Sequence, residues 1–575
     1  MKKSSAIRTL RNALWAILIA GLLTTPLTLV RPSEADSAFW MGLSKIRLAL
    51  FALQIVGLLL VGVLLITANK TQFSSPIYKK TGAFFTNPEK YRLIRHTLFG
   101  LALFCSIAFI NFSILIPQAL AAVSAWLAFT AWIAYTSFLR LVDIPEDFKP
   151  LKFSALFPSW KSLSKPQKTT TWVLLGLGIL IFALYIPLNL RNSESMSVLN
   201  LDESIMYPNV IKMLTAGEGF HQSLYRFLVY GDYIYGFPFY GWSAFVLLPV
   251  KWIVGEGFAD HLQLNMLLMR QFANVLPVLL SCFLITWLVT RFKNLWVSLG
   301  FNLVLLTLPG VIGISGLFWH PDGVNLFFVV LALYYLDRDQ LSFGPNFYFA
   351  AMACGASIAT RLFGVFFFLA IAVLLIYGLK KKVLTPRKAL VSGILFIIVM
   401  LGAIMVSNPY LFSPGEFGAA AHTFAHRQSV LSQGINEPDP EGIYRVGLQA
   451  WWPFMAPTYG SKLTLIFLAV SSLAGVFSRE RRHFNLALLG WLLVIGVYMI
   501  GTVKVKSPWY LLPFLIPLYG SALTLPELLR ERLERHGSNK LLALSHVALN
   551  VLIAGLGVAQ LVLNIHIFAN SLVFQ

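Results

Sequence analysis

The chain has 575 residues, of which 57% are hydrophobic and only 12% charged, and its mean hydropathy is +0.72. Ordinary soluble domains carry about 25% charged residues, so a soluble globular protein is excluded and a polytopic membrane protein is required. The net charge of +21 would point to nucleic acid in a soluble chain, but here the cations read as topological anchors, and no nucleic-acid partner is expected.

The start, MKKSSAIRTLRNALWAILIAGLLTTPLTLV, has a basic region and an apolar run. That run is longer than a signal core and lacks a small-residue cleavage site, so an uncleaved first span is expected. Apolar runs at 12–30, 48–67, 97–116 and 118–137 each approach the ~20 residues a spanning helix needs. The connection 68–96 carries Lys70, Lys79, Lys80, Lys90, Arg92 and Arg95, and 138–170 carries Arg140, Lys149, Lys152, Lys161, Lys165 and Lys168. With Lys2, Lys3, Arg8 and Arg11, they belong on the cytoplasmic side by the positive-inside rule. The three cysteines, Cys105, Cys282 and Cys354, lie in apolar runs without a CxxC pair, so neither a disulfide framework nor a zinc cluster is indicated.

The next span, 171–189, then runs outward, and 190–269 lies outside. The acids of that loop (Glu194, Asp202, Glu203, Glu218, Asp232, Glu256, Asp260) outnumber its bases (Arg191, Lys212, Arg226, Lys251, Arg270), a reversal of sign that suits an outer segment. Its apolar middle, GFPFYGWSAFVLLPVKWIVG, is expected to lie along the membrane surface, because a crossing there would put the basic stretch at Arg291 outside. Further spans are read at 271–290, 294–312, 323–337, 346–360, 362–379, 388–406, 461–478, 484–502, 508–524 and 541–566, about 15 in all. The expected fold is an all-α polytopic membrane protein. Residues 1–170 form a four-helix N-terminal extension, and 171–575 form a module with outer loops 190–269 and 407–460.

This alternation collects Asp202 and Glu203, then His320, Pro321 and Asp322, then Arg361, then the 407–460 loop, and finally Lys504 and Lys506 on the outer face. Convergence of carboxylates and cations on one face is what an active site at a membrane surface needs. His422 and His426 share a helical face at a spacing compatible with metal, but no carboxylate stands in register with them, and no metal or cofactor is expected.

The order of features from Asp202-Glu203, through IMYPNVIKMLTAGEGF, Phe237-Pro238-Phe239-Tyr240 and Arg270, to Pro321-Asp322 resembles the core of GT-C glycosyltransferases that use polyprenyl-phosphate sugars. These include the protein O-mannosyltransferases and the lipid A aminoarabinose transferases. The run KVKSPWYLLP from Lys504 to Pro513 is similar to the basic and aromatic stretch that opens a late span in that family. The resemblance covers about residues 170–570; Arg361 stands where relatives often have Lys, the Pro patch lacks a double Pro, and the first four spans have no counterpart. It implies a transferase in the plasma (inner) membrane, acting on its outer, extracytoplasmic face, with a glycan, lipid or protein as acceptor and membrane lipids around it.

Sugar transfer from a lipid phosphate requires a base for the acceptor hydroxyl and cations for the departing phosphate. The resemblance puts the base on Asp202. Glu203, about 100° away around a helix, cannot address the same atom; it stands as a further catalytic candidate or as a residue that only hydrogen-bonds the loop. Lys504, Lys506, Arg270 and Arg361 are the candidates for the donor phosphate, against simple snorkelling of long cations at span ends. Asp322 either orients a substrate or caps a helix, and His320, Tyr240 and Tyr510 are candidate substrate contacts. A transporter or lipid flippase and a non-catalytic scaffold of envelope assembly are the competing readings.

Overall fold

The computed structural model describes residues 3–29, 45–69, 88–115, 118–142, 160–190, 201–316, 318–434, 445–536 and 540–573. Among these there is no strand. Arg191, Glu194, Lys70, Lys79, Lys80, Lys149 and Lys152, which enter the charge bias above, lie outside the described residues.

The chain divides into two compact units. One comprises residues 1–155 and 409–417, with helices α1 (Lys3–Leu29), α2 (Lys45–Asn69), α3 (Pro88–Leu115) and α4 (Gln118–Leu141). Its centre is Trp126, buried with Ile17 and Leu58, whose indole N–H donates to the Ile17 carbonyl at 3.0 Å. Gly21 and Gly57 admit the indole, since a Cβ at either would overlap its ring.

The second unit comprises residues 156–408 and 418–575. It begins with α5 (Lys165–Asn189), α6 (Leu201–Leu214), α7 (Phe220–Leu228), α8 (Phe237–Val254) and α9 (Leu262–Thr290), the last containing a π turn at Arg270–Val275. There follow α10 (Leu295–Thr307), α11 (Pro309–Ser315), α12 (Pro321–Asp339), α13 (Pro345–Arg361), α14 (Phe363–Lys380) and α15 (Pro386–Ser407). Helix α16 (Pro414–Gln433) enters this unit from Gly418 on, and α17 (Leu448–Met455), α18 (Lys462–Ala474), α19 (Arg482–Gly501), α20 (Leu512–Leu518), α21 (Thr524–His536) and α22 (Lys540–Val573) complete it.

Among the described residues twelve helices are long and apolar enough to cross a membrane, or thirteen if α10 and α11, bent by 62°, count as one span. The protein is therefore a multi-pass membrane protein, with fewer such helices than the apolar runs suggest. The difference has a physical cause. Helices α12 and α13 are wrapped by the rest of the unit, so they need not be apolar on every side, and they carry Asp322, Asn325, Asp337, Ser357 and Arg361 among the hydrophobics. Helix α8, expected along the surface, belongs to the twelve by length and composition.

Local chemistry sets the helix ends. Proline stands in the first turn of α8, α12, α13 and α15, where its missing N–H leaves no bond unmade. The Asn294 side chain caps α10 by accepting from the Trp296 and Val297 amides at 2.9 and 3.2 Å. Asp339 holds the turn between α12 and α13, accepting from the amides of Phe343, Gly344 and Phe347 at 2.7, 3.0 and 3.2 Å.

Helices α9 and α12 run in the same direction and are pinned at two levels. At their C-terminal ends Arg291 grips Asp337 with bonds of 2.6 and 2.7 Å, beside His483. Near the start of α12 the Asn274 amide, from the π turn midway along α9, bonds the carbonyls of Ile314 and Phe318. The start of α8 is held there too: the Gly236 amide donates to the Thr360 carbonyl at 3.1 Å, and Phe237 to Asn408 Oδ1 at 2.8 Å. Gly236 is required for this approach, because a Cβ would lie inside the Ala359 carbonyl.

Candidate active site

The first turn of α6 sends its two carboxylates in different directions. Glu203 is fully buried and grips Arg270 with two bonds, Nε to Oε1 at 2.9 Å and Nη2 to Oε2 at 2.6 Å. Arg270 Nη1 donates to the Asn189 carbonyl at 3.1 Å, and the Trp319 amide donates to Glu203 Oε1 at 2.7 Å. The pair thus joins the end of α5, the start of α6, the π turn of α9 and the segment leading into α12. Arg270, which the sequence offers as a phosphate ligand, is completely buried on Glu203; the two charges neutralise each other in the interior.

Asp202, about 100° around the helix from Glu203, is half-buried and makes no hydrogen bond or ion pair among the described residues. The Glu203–Trp319 bond brings its neighbours together: Asp202 precedes one partner and His320 follows the other. The Asp202 charge is accordingly felt at the His320 ring.

Around His320 lies a buried relay. Its Nδ1 is 2.9 Å from Asp322 Oδ2, and its Nε2 is 3.0 Å from the Tyr235 hydroxyl. Because a carboxylate only accepts, the neutral ring carries its proton on Nδ1 and accepts from Tyr235 at Nε2. Burial pushes the Tyr235 phenol up, so it remains a protonated donor.

The other Asp322 oxygen faces Arg361 Nη1 as an ion pair. These approaches lie off the hydrogen-bond axis, so both Asp322 oxygens, His320 Nδ1 and Arg361 Nη1 keep bonding capacity. Asp322 is thus a partner of Arg361 and His320 rather than a cap, and α12 has no side-chain cap. The Arg361 guanidinium lies 4.5 Å from the Tyr510 ring centre and 5.6 Å from those of Tyr235 and Phe363. Its side chain is 12% exposed, enough for an anion to reach one edge.

A backing of aromatic rings holds this cluster. His320 stacks on Phe318 at 4.8 Å with Trp509 behind at 6.0 Å. Phe239 stacks on Trp319 at 4.8 Å, whose indole N–H donates to Ser243 Oγ at 2.9 Å. Tyr240 belongs to this support: it is fully buried and packs on Tyr230 and Trp319. Tyr510, in contrast, stands beneath Arg361 in the cluster itself.

Lys504 and Lys506 lie on the segment that leads to Tyr510, both half-buried. The Lys504 amide donates to the Leu431 carbonyl at 2.8 Å, and the Trp451 indole holds the Val503 carbonyl at 3.2 Å. Lys506 Nζ donates to the Lys504 carbonyl at 3.1 Å. His422 and His426 are exposed on α16. One cation escaped the sequence reading: Arg427, whose Nη2 donates to the Tyr510 hydroxyl at 3.0 Å. Its only signal was its place beside His426 in the outer loop.

The fold defines the class, a multi-pass all-α membrane protein with a charged, aromatic-lined cluster at one end of its second unit. No protein-family model, curated protein or solved structure matches the chain.

Removing one member of the Glu203–Arg270 pair strands a buried charge, which costs about 3–5 kcal/mol. Glu203→Ala is therefore expected to melt far below wild type in detergent. The double variant Glu203→Leu, Arg270→Met is expected to recover most of the loss, as measured by thermal unfolding. Burial, the largest influence, holds His320 below its ordinary 6.5 despite the Asp322 and Asp202 charges, with Arg361 pushing the same way as burial. The unfolded chain then binds a proton near that pH which the folded chain resists, so the His320 contribution is complete above 6.5 and is lost as pH falls toward the folded value. Melting temperature is expected to fall between about pH 8 and about pH 5, and less steeply in His320→Asn; equal slopes would rule out His320 as the cause.

Proposed function

We propose that this protein is an integral-membrane glycosyltransferase, moving a sugar from a polyprenyl phosphate to an acceptor hydroxyl with inversion at the anomeric carbon. The observation that carries the reading is Asp202. It is a half-buried carboxylate without a bonded partner among the described residues, next to a cluster that supplies Arg361 and Lys504 for an anion, while Lys506 turns its Nζ to the Lys504 carbonyl. A carboxylate free of partners is available to take a proton, whereas Glu203, spent on Arg270 and Trp319, is not.

In this reading Asp202 removes the acceptor proton as the acceptor oxygen attacks the anomeric carbon. The bond from that carbon to the phosphate oxygen breaks, and its electron pair leaves with the phosphate. Arg361, reached at its exposed edge, and Lys504 stabilise the growing charge. Asp322 and His320 hold Arg361 and Tyr235 in place, so their roles are positional. The order of motifs along the chain, resembling that of the GT-C enzymes, supports the same assignment, and the charge bias of the loops supports the extracytoplasmic face.

The transporter reading has one observation in its favour, the break between α10 and α11, since broken helices line many transport sites. Here the break is filled: the Gly310 amide donates to the Thr458 carbonyl at 2.7 Å, and the Tyr459 ring packs against Gly310 so closely that a Cβ would overlap it. That favours a structural bend.

The test is incubation of the purified protein with polyprenyl-phosphate sugars and detection of released polyprenyl phosphate. Asp202→Asn is expected to lower turnover by about 10² to 10⁴-fold while melting near the wild-type temperature. Undiminished turnover in this variant would remove Asp202 from the chemistry, and substrate movement across vesicles without sugar release would replace the transferase by a transporter.

A further inference from the structure

Two cations near the cluster, Arg427 and Lys504, have no acidic partner among the described residues. Arg427 lies half-buried in the second half of α16, and its neighbourhood is fixed. The Tyr498 hydroxyl donates to Gln428 at 3.0 Å, and Leu431, one helical turn on, accepts the Lys504 amide at 2.8 Å. Through its bond to the Tyr510 hydroxyl, Arg427 stands across one phenol ring from Arg361, which lies 4.5 Å from the same ring. Two guanidinium groups so disposed repel each other in a partly water-excluded space, and an anion bound by both relieves that repulsion. The Arg361 side chain is 12% exposed, and it is this open edge, away from Asp322, that can receive it.

We infer that Arg427 binds the phosphate together with Arg361 and Lys504, and that this set is matched to the phosphate monoester product as well as to the diester donor. The inference rests on the glycosyl-transfer reading and adds to it a residue and a charge balance. Before transfer, the cations Arg361, Arg427 and Lys504 face the carboxylates Asp202 and Asp322, leaving one surplus positive charge for the single negative charge of a phosphodiester. During transfer Asp202 gains the acceptor proton and becomes neutral, while the phosphate gains the electron pair of the broken bond and becomes a dianion. The surplus is then two positive charges against two negative ones. Without Arg427, one negative charge is uncompensated in both states, in a site where a charge-assisted bond counts for more than in water.

Farnesyl phosphate and farnesyl methyl phosphate are suitable probes, since at about pH 8 the first is a dianion, its second ionisation lying near 6, and the second a monoanion. Titration calorimetry on the full-length protein in detergent is expected to show Arg427→Gln binding farnesyl phosphate about 10- to 100-fold more weakly than wild type. Arg427→Lys should recover part of that loss by keeping the charge. Asp202→Asn, fixed in the neutral state of the product complex, is expected to bind farnesyl phosphate more tightly than wild type, by about tenfold, with a smaller gain for the diester, whose single charge feels half the repulsion. A merely structural role for Arg427 predicts a lower melting temperature with unchanged affinity. Wild-type affinity in Arg427→Gln, or no gain in Asp202→Asn, overturns the inference and leaves the transferase reading standing. Failure of the folded wild type to bind either ester overturns both.

Discussion

The second unit depends on one interaction, the buried pair of Glu203 and Arg270. An ion pair without exposure is tolerable only when its desolvation is offset by good geometry and by further hydrogen bonds. Both are present, in the two-pronged contact and in the bonds from Arg270 to Asn189 and from Trp319 to Glu203. Because these partners come from four separate segments, the pair sets the register of α6 against α5, α9 and the entry to α12. The rotation of α6 follows, and with it the direction of Asp202. A helical step of one residue separates a structural carboxylate from an available one.

The π turn of α9 has a part in this. Arg270, Gln271, Ala273, Asn274 and Val275 of this turn are all buried, with Phe272 turned outward. Arg270 can then meet Glu203 while Asn274, one turn on, bonds the carbonyls of Ile314 and Phe318. Such widened turns occur often at functional sites, and here it supplies two polar anchors from one face.

The charges of the unit are divided between its two ends. At one end Arg291, Asp337, His483, Arg481 and Glu527 form a network in which each charge has an opposite partner. At the other, Asp322 is shared between His320 and Arg361, while Asp202, Arg427 and Lys504 remain without bonded counter-charges among the described residues. A network of paired charges holds helices together; one with unpaired charges has capacity for a ligand. The aromatic backing of Phe318, Trp319, Trp509 and Tyr510 lowers the local dielectric and makes that capacity count for more.

By itself the sequence determined the class and the material of the cluster. Runs of about 20 apolar residues have few structural solutions in a membrane, because every backbone polar group must be satisfied internally, so an all-α polytopic fold was legible in composition and spacing. Asp202, His320, Asp322, Arg361 and Tyr510 were likewise legible, as polar groups at the ends of apolar runs. What only the tertiary structure decided is who faces whom. That Glu203 is spent on Arg270, that Asp322 holds Arg361 instead of capping its helix, that Tyr240 is support, and that Arg427 reaches Tyr510 all depend on contacts across 67, 39 and 83 positions or on packing around a buried ring. The count of membrane-length helices fell for a related reason. Hydropathy measures what a helix would present to lipid, whereas α12 and α13 present most of their surface to other helices, and only the packed structure shows which of the two solvents a residue meets.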